Sequence, residues 1–121
     1  MMNNFFFCSI LYICIVFCIT TLSFLFFLNF HGLESLWKRI ALEHNYIGRC
    51  YYYGQGFPKP DFQQAAMWLE KAANQDYDDA QYQLGLCYEK GQGVKQNPEK
   101  AREWYEKAAA NGNNKAKQKI Q

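Results

Sequence analysis

Charged side chains are missing from the first quarter of this 121-residue chain. No Asp, Glu, Lys or Arg occurs before Glu34, so all thirteen basic and eleven acidic residues lie in the rest of the sequence. A boundary this sharp separates a segment suited to lipid from one suited to water. In the charged part the two signs are interspersed and the net charge is only +2. We therefore expect no nucleic-acid partner, which would need a basic patch.

The sequence also has few of the residues from which metal and catalytic sites are built. Its two histidines, His31 and His44, offer no ligand set or catalytic triad, and the five cysteines form no C-x-x-C pair. The Gly-Gln-Gly triplets are not followed by the Lys-Ser or Lys-Thr of a phosphate loop. We expect no catalytic residue, no metal, no cofactor and no small-molecule substrate, so the chain is not predicted to be an enzyme.

A continuous apolar run occupies residues 5–28, where only Ser9, Thr20, Thr21 and Ser23 are polar. A helix of this length, rising 1.5 Å per residue, crosses a hydrocarbon core of about 30 Å. Its hydroxyl groups can bond to carbonyls of the same helix. The pattern predicts that residues 1–32 are a single-pass membrane anchor in contact with the bilayer through residues 5–28.

Two other interpretations of this segment stay open. A cleaved signal peptide would leave a secreted or periplasmic domain, but the segment has no basic start, and its one passable cleavage site, residues 21–23, lies inside the apolar run. A spurious upstream extension of the reading frame is the third interpretation. For an anchor, Lys38 and Arg39 directly after the run favour a cytosolic repeat domain, although Glu34 offsets part of that charge.

An internal repeat fills the remainder of the chain, residues 33–121. Residues 48–56 recur 37 positions later with the same glycines, cysteine and tyrosine: Gly48, Cys50, Tyr51, Gly54 and Gly56 become Gly85, Cys87, Tyr88, Gly91 and Gly93. After a one-residue deletion, Ala65 and Trp68 recur 36 positions later as Ala101 and Trp104. We place repeat one at about residues 41–77, repeat two at 78–113, and a partial third repeat or capping helix at 114–121.

Each period predicts two helices joined by a glycine turn. In repeat two, one apolar stripe comprises Ala80, Leu84, Cys87 and Tyr88, and a second comprises Ala101, Trp104, Tyr105 and Ala108. Between them a glycine triplet ends the first helix, and an Asn-Pro pair at 97–98 begins the next. Repeat one has the same features, with Asp61 as N-cap. The predicted fold class is all-α, an N-terminal apolar helix followed by a short α-solenoid of antiparallel helical hairpins.

The motif of repeat two closely resembles the Sel-one-like repeat, which belongs to the tetratricopeptide-like superfamily. Between Ala80 and Gly112 it reads A-x-x-x-L-G-x-x-Y-x-x-G-x-G-V and then K-A-x-x-W-Y-x-K-A-A-x-x-G. Repeat one departs from this motif at Glu43, Phe57, Gln64, Leu69 and Asp76. The resemblance implies a non-catalytic adaptor for an unidentified protein or peptide, as in membrane quality-control complexes and in bacterial signalling.

In a solenoid of this family, first-helix residues between the core stripes line an inner groove. Counted from Gly48 and Gly85, the candidate groove residues are Asn45, Arg49, Tyr52, Tyr53, Tyr82, Leu86, Glu89 and Lys90. Tyrosine and arginine are frequent in binding hot spots, which makes a partner-binding groove the favoured hypothesis. The alternative is a structural fragment or assembly subunit of a longer array, because two repeats are fewer than the three usually needed for stability.

Overall fold

The computed structural model describes residues 3–121, with side chains from Ser9 onward. These residues form helices and no strand, which confirms the all-α prediction for the described part of the chain. The five helices are α1 Asn3–Tyr53, α2 Phe62–Ala73, α3 Asp78–Lys90, α4 Pro98–Ala110 and α5 Asn114–Lys119. The chain divides into two compact units, of which the first ends at Leu36 and the second runs Trp37–Gln121.

In the first unit, α1 presents apolar side chains on every side. Its most apolar stretch has a mean hydropathy of 2.6, and none of that stretch is buried. The hydroxyls of Thr20 and Thr21 each donate to the carbonyl of Phe17, at 2.9 and 2.8 Å, as expected for polar groups in an apolar helix. Length and composition therefore permit a membrane span, and a signal sequence meets the same criterion.

The second unit is built from helices whose ends are set by local hydrogen bonds. Asp61 caps α2, since its carboxylate accepts from the amide of Gln64 at 3.1 Å. Asn97 caps α4 by accepting from the amides of Glu99 and Lys100, both at 3.1 Å. Gly91 ends α3 with a φ of 69°, a left-handed conformation that glycine adopts without strain. These three predicted helix ends are confirmed.

The core of this unit lies between α2 and α3. It is a cluster of six buried residues: Leu69, Ala72, Ala73, Ala80, Leu84 and Cys87. The small alanines let the helix axes approach closely, so Leu69 and Leu84 fill the remaining space at 0% and 1% exposure. Trp104 packs against this cluster and is half-buried, as is Trp68, and each has a lysine ammonium stacked on its ring.

Tyr105, which shares the predicted apolar stripe of α4 with Trp104, takes the interior position. Its ring is 5% exposed and lies against Gly85, where an added Cβ would come within 2.6 Å of Tyr105 Cε1. Its hydroxyl donates to Glu89. A glycine on α3 therefore makes room for an aromatic ring on α4, and this contact sets how closely the second hairpin closes.

The last helix, α5, covers the end of the second hairpin. Asn113 caps it by accepting from the amide of Ala116 at 3.0 Å, while its nitrogen donates to Asp78 and Asp79 at the start of α3. Ala116 is completely buried and stands 36 positions after Ala80. This short helix therefore occupies the place that the first helix of a third repeat would take.

Candidate partner-binding surface

Of the eight predicted groove residues, Asn45 is buried and Tyr52 is half-buried against the core. Asn45 is only 4% exposed, and its Oδ1 has no hydrogen-bond partner in the part of the chain that the structure describes. Tyr52 packs against the core cluster, and its hydroxyl donates to Gln92 Oε1 at 2.6 Å. Burial raises the pKa of the Tyr52 hydroxyl. Asn45 is enclosed and Tyr52 is engaged by contacts within the unit, which makes both poor candidates for contact with a partner.

Three predicted residues on α3 are half-buried, and two of these make internal contacts. Tyr82 lies with its ring 5.7 Å from that of Tyr105. Glu89 accepts a hydrogen bond from Tyr105 and forms an ion pair with Lys119 at 2.9 Å. The Tyr105 hydrogen bond, followed by the one from Lys119, holds the pKa of Glu89 below its ordinary value. Glu89 therefore links α3 to α4 and α5.

The remaining predicted residues are open to solvent on adjacent helices. Arg49 and Tyr53 are exposed on α1, and Lys90 is exposed at the end of α3. Leu86, the third half-buried residue, precedes Lys90 by one helical turn. The structure thus leaves Arg49, Tyr53, Leu86 and Lys90 as the predicted residues best placed to meet a partner.

Leu42 and Tyr46, which sequence reasoning missed, extend this surface along α1. Leu42, Tyr46 and Tyr53 are 52%, 65% and 53% exposed, and together with Arg49 they are spaced by four, three and four residues. That spacing places all four on one helix face, which we call the α1 stripe. The buried residues Ala41, Asn45 and Gly48 follow the same spacing one position earlier, so they mark the neighbouring face as the inward one.

The α1 stripe has a counterpart on α3, because the repeat offset of 37 carries Tyr46, Arg49 and Tyr53 onto Gln83, Leu86 and Lys90. Gln83 and Leu86 are half-buried, whereas Lys90 is exposed. First helices of consecutive repeats are neighbours in a helical-repeat array. We call the α1 stripe together with Gln83, Leu86 and Lys90 the first-helix surface.

The first-helix surface offers binding chemistry. Exposed tyrosines and an arginine supply large contact area and a planar hydrogen-bonding cation. Among the residues that the structure describes, no group of three or more His, Cys, Asp or Glu could hold a metal ion. Burial raises the pKa of the Tyr77 hydroxyl, and Asp79 and Asp78 raise it further. The charge of nearby Arg49 acts in the opposite direction and lowers it. The cation therefore lies at the junction of the two repeats.

Antiparallel helical hairpins that repeat with glycine-ended first helices define an α-helical repeat protein. The family model of the Sel1 repeat matches residues 44–77 and 78–113, which together are more than half of the chain. The chain therefore belongs to the Sel1 repeat family.

Relatives and solved structures agree with this assignment. The chain is 40% identical over 78 residues to the chitin synthase regulator SKT5 of Saccharomyces cerevisiae. The matched stretch covers 61% of this chain and 11% of the yeast protein. A Sel1 repeat protein from Oxalobacter formigenes superimposes with a TM-score of 0.64 at 41% identity, over 66% of this chain and 32% of the other. The Helicobacter pylori cysteine rich protein B superimposes with a TM-score of 0.61 at 28% identity, over 64% of this chain and 58% of the other. The chain thus spans only about a tenth of its yeast relative.

Proposed function

We propose that this chain is a membrane-tethered adaptor in which residues 1–32 anchor a repeat domain, residues 33–121, that binds a partner protein through the first-helix surface. The observation that carries the proposal is the α1 stripe, where Tyr46, Arg49 and Tyr53 share one exposed face. Ordered aromatic side chains on a helix bind with little loss of conformational freedom. This chemistry suits a partner helix or an extended peptide with acidic and apolar side chains.

The character of the relatives supports an action on other proteins. One is named a regulator of chitin synthase, and another, from Rattus norvegicus, is named a DAP3-binding cell death enhancer and is 38% identical over 63 residues. Both names describe effects exerted through a second protein. We extend this mode of action to the present chain, and leave the identity of its partner open.

The anchor rests on the apolar side chains of α1. In the span of residues 10–30, the large aliphatic and aromatic side chains are 43–75% exposed. Leaving such a surface in water is strongly unfavourable, at about 25 cal/mol per Å². A bilayer removes this cost, and the basic pair Lys38–Arg39 then favours a cytosolic repeat domain. A secreted or periplasmic domain follows if the segment is cleaved instead.

Site-specific crosslinking tests the binding surface. A photoreactive phenylalanine analogue is placed at Tyr46 or Tyr53 of the full-length chain in its native membrane, with the exposed position Glu103 on α4 as control. We expect a common crosslinked protein from Tyr46 and Tyr53, and none from Glu103. The double substitution Tyr46→Ala, Arg49→Ala should reduce recovery of that protein at least about tenfold, since hot-spot residues each contribute more than about 1 kcal/mol. Equal crosslinking from all three positions would contradict the proposed surface.

Carbonate washing of membranes, followed by N-terminal sequencing, tests the anchor separately. An uncleaved chain should remain in the membrane pellet and begin at its initiator methionine. A soluble chain that begins near Phe24 would show that the apolar segment is a cleaved signal.

A structural subunit of a longer array is the second candidate, and the position of Ile120 favours it. Ile120 stands 36 positions after Leu84, the same offset that relates Ala116 to Ala80. It is 39% exposed, however, while Leu84 is 1% exposed. An apolar residue in a core register would be buried if further helices packed on α5. Sedimentation of the full chain in detergent separates the candidates: a defined oligomer that Ile120→Lys dissociates supports the subunit, and a monomer supports the adaptor.

A further inference from the structure

A second open site lies at the end of the repeat unit where the hairpin turns meet. The two loops, residues 54–61 and 91–97, enclose a pocket of about 770 Å³, which we call the inter-loop pocket. Both loops are closed by the same pair of backbone hydrogen bonds. In the first loop the amides of Gln55 and Asp61 donate to Cys50 and Tyr51, and in the second Gln92 and Asn97 donate to Cys87 and Tyr88. The walls of the pocket are therefore held by backbone geometry.

Gly93 joins the second loop to the neighbouring repeat. It has a φ of 73°, and any Cβ at this position would collide with the backbone of Phe62 at the start of α2. Gly56 occupies the matching place in the first loop, and nothing lies within 4 Å of its hypothetical Cβ. A loop thus closes against the second helix of the repeat before it, so a pocket of this kind forms where two repeats meet.

The first loop gives the pocket an aromatic and proline-rich wall that the family motif lacks. Phe57 stands where the motif has valine, and its ring stacks on Tyr51 with the centroids 4.5 Å apart and the planes at 12°. Phe57 remains 44% exposed. Pro58 and Pro60 follow it and also line the pocket. Flat aromatic faces next to rigid proline rings suit apolar side chains of an extended peptide.

The charges around the pocket are unbalanced. Lys59 and Lys95 line it from opposite loops, and neither has an ion-pair partner in the part of the chain that the structure describes. The one carboxylate in the lining, Asp61, already accepts the capping hydrogen bond from Gln64. Two unpaired cations beside an apolar wall complement a segment that carries carboxylates next to apolar residues.

We propose that the inter-loop pocket binds a short extended peptide of acidic and apolar residues from a partner protein. The lysines bind its carboxylates, while Phe57, Pro58 and Pro60 pack on its apolar side chains. This site is separate from the first-helix surface and does not depend on the function proposed for it. With both sites occupied, one chain would hold two protein segments at once. If both segments belong to one partner, binding of the first raises the effective concentration of the second.

Fluorescence anisotropy of labelled peptides on the full-length chain in detergent tests this site. The probe is a short peptide in which glutamate alternates with leucine and proline, and the matched control peptide has glutamine for every glutamate. We expect saturable binding of the glutamate peptide, at least about tenfold weaker binding of the glutamine peptide, and loss of affinity as salt rises. Absence of saturable binding up to about 1 mM peptide, or equal binding of the two peptides, would overturn the proposal.

Charge-reversal variants locate the binding. The double variant Lys59→Glu, Lys95→Glu should weaken binding of the glutamate peptide about tenfold or more. The control, Lys115→Glu with Lys117→Glu, changes the net charge by the same amount at exposed positions of α5 and should leave binding unchanged. All four lysines are exposed, so an unchanged thermal melt confirms that each variant is folded. Equal loss in both variants would indicate non-specific attraction and would overturn the pocket assignment.

Two further variants separate this site from the first-helix surface and from self-association. Phe57→Ala should weaken binding of the glutamate peptide, and Tyr46→Ala should not. The reverse result would place the peptide on the first-helix surface and would refute the pocket assignment. If the wild-type chain self-associates and Lys59→Glu with Lys95→Glu disperses it, the occupant is a second copy of the chain, which also overturns the peptide proposal.

Discussion

Gln81 on α3 accepts a hydrogen bond through its side-chain oxygen from Asn111, at 2.9 Å. Its side-chain nitrogen donates to the carbonyl of Ala73 at the end of α2, at 3.1 Å. Gln81 is only 1% exposed, so this carboxamide joins the turn before α3 to the turn after α4 from inside the unit. A buried polar group with both ends paired favours one arrangement of the two hairpins over others.

Substitution of Gln81 by methionine should destabilise the repeat unit. Methionine keeps nearly the same volume but removes two hydrogen bonds, one to the Ala73 carbonyl, which keeps its bond from the Asp76 amide, and one from the exposed Asn111. We expect the free energy of unfolding to fall by about 1–3 kcal/mol. Urea unfolding followed by circular dichroism measures the change. The control is Gln83→Met, two residues away and half-buried, which should shift stability by less than about 0.5 kcal/mol. Equal effects would show that the Gln81 hydrogen bonds contribute nothing.

Gly85→Ala should be destabilising although alanine favours helix. The new Cβ would meet the buried ring of Tyr105, an overpacking that costs about 1–3 kcal/mol. The gain in helix propensity offsets at most about 1 kcal/mol of this. Gly32→Ala, where no atom lies within 4 Å of the hypothetical Cβ, is the control and should not be destabilising. In a Tyr105→Leu background the cost of Gly85→Ala should shrink, and additive effects in this double-mutant cycle would contradict the contact.

Acid should loosen the attachment of α5 through protonation of Glu89. Its folded pKa lies below the ordinary 4.5, because Tyr105 and then Lys119 hydrogen-bond to the carboxylate. A lowered pKa contributes stability that is complete above the ordinary value and is lost as the pH falls through the folded one. NMR titration should show the Glu89 carboxyl protonating below pH 4.5, with helical chemical shifts of α5 declining over the same range. In Glu89→Gln the pH dependence of those shifts should be reduced, and a pH dependence equal to that of the unsubstituted chain would show that another group controls α5.

Cys87 should be inert to alkylation in the folded protein. Burial raises its pKa to about 11, so very little thiolate is present at neutral pH, and the side chain is fully enclosed. Mass spectrometry after iodoacetamide treatment should find Cys87 unmodified until denaturant is added, whereas half-buried Cys50 serves as the internal comparison. Both thiols are free in the structure, so we expect no crosslink between them in the native protein.

Much of the repeat unit could be predicted because its signals are local. An N-cap requires an acceptor side chain within three positions of the amide that it satisfies, so Asp61 and Asn97 are recognisable without any tertiary contact. Gly91 is recognisable because a left-handed helix end excludes most other residues. The recurrence of these signals with a fixed offset determined the number of hairpins, their order and the family.

The candidate site could be predicted only in part, because no local signal sets the register of α1. This helix is continuous as Asn3–Tyr53, so no cap marks the start of its repeat portion. Counting from Gly48 suggested Asn45 and Tyr52 as surface residues, yet Tyr52 packs on the core and bonds Gln92 forty positions away. The same counting passed over Tyr46, which is 65% exposed.

The sequence alone therefore determined the helix ends and the boundary between apolar and charged segments, which depend on residues close together in the chain. It also determined the period and the family, which depend on the recurrence of those local signals. Only the tertiary structure decided which face of α1 is buried, since burial depends on where a neighbouring helix packs. Tyr105 and not Trp104 became the interior aromatic residue of α4 because Gly85 opens space opposite it. The inter-loop pocket likewise exists only because Gly93 brings one loop against the start of α2, a contact between residues about thirty positions apart that no local pattern contains.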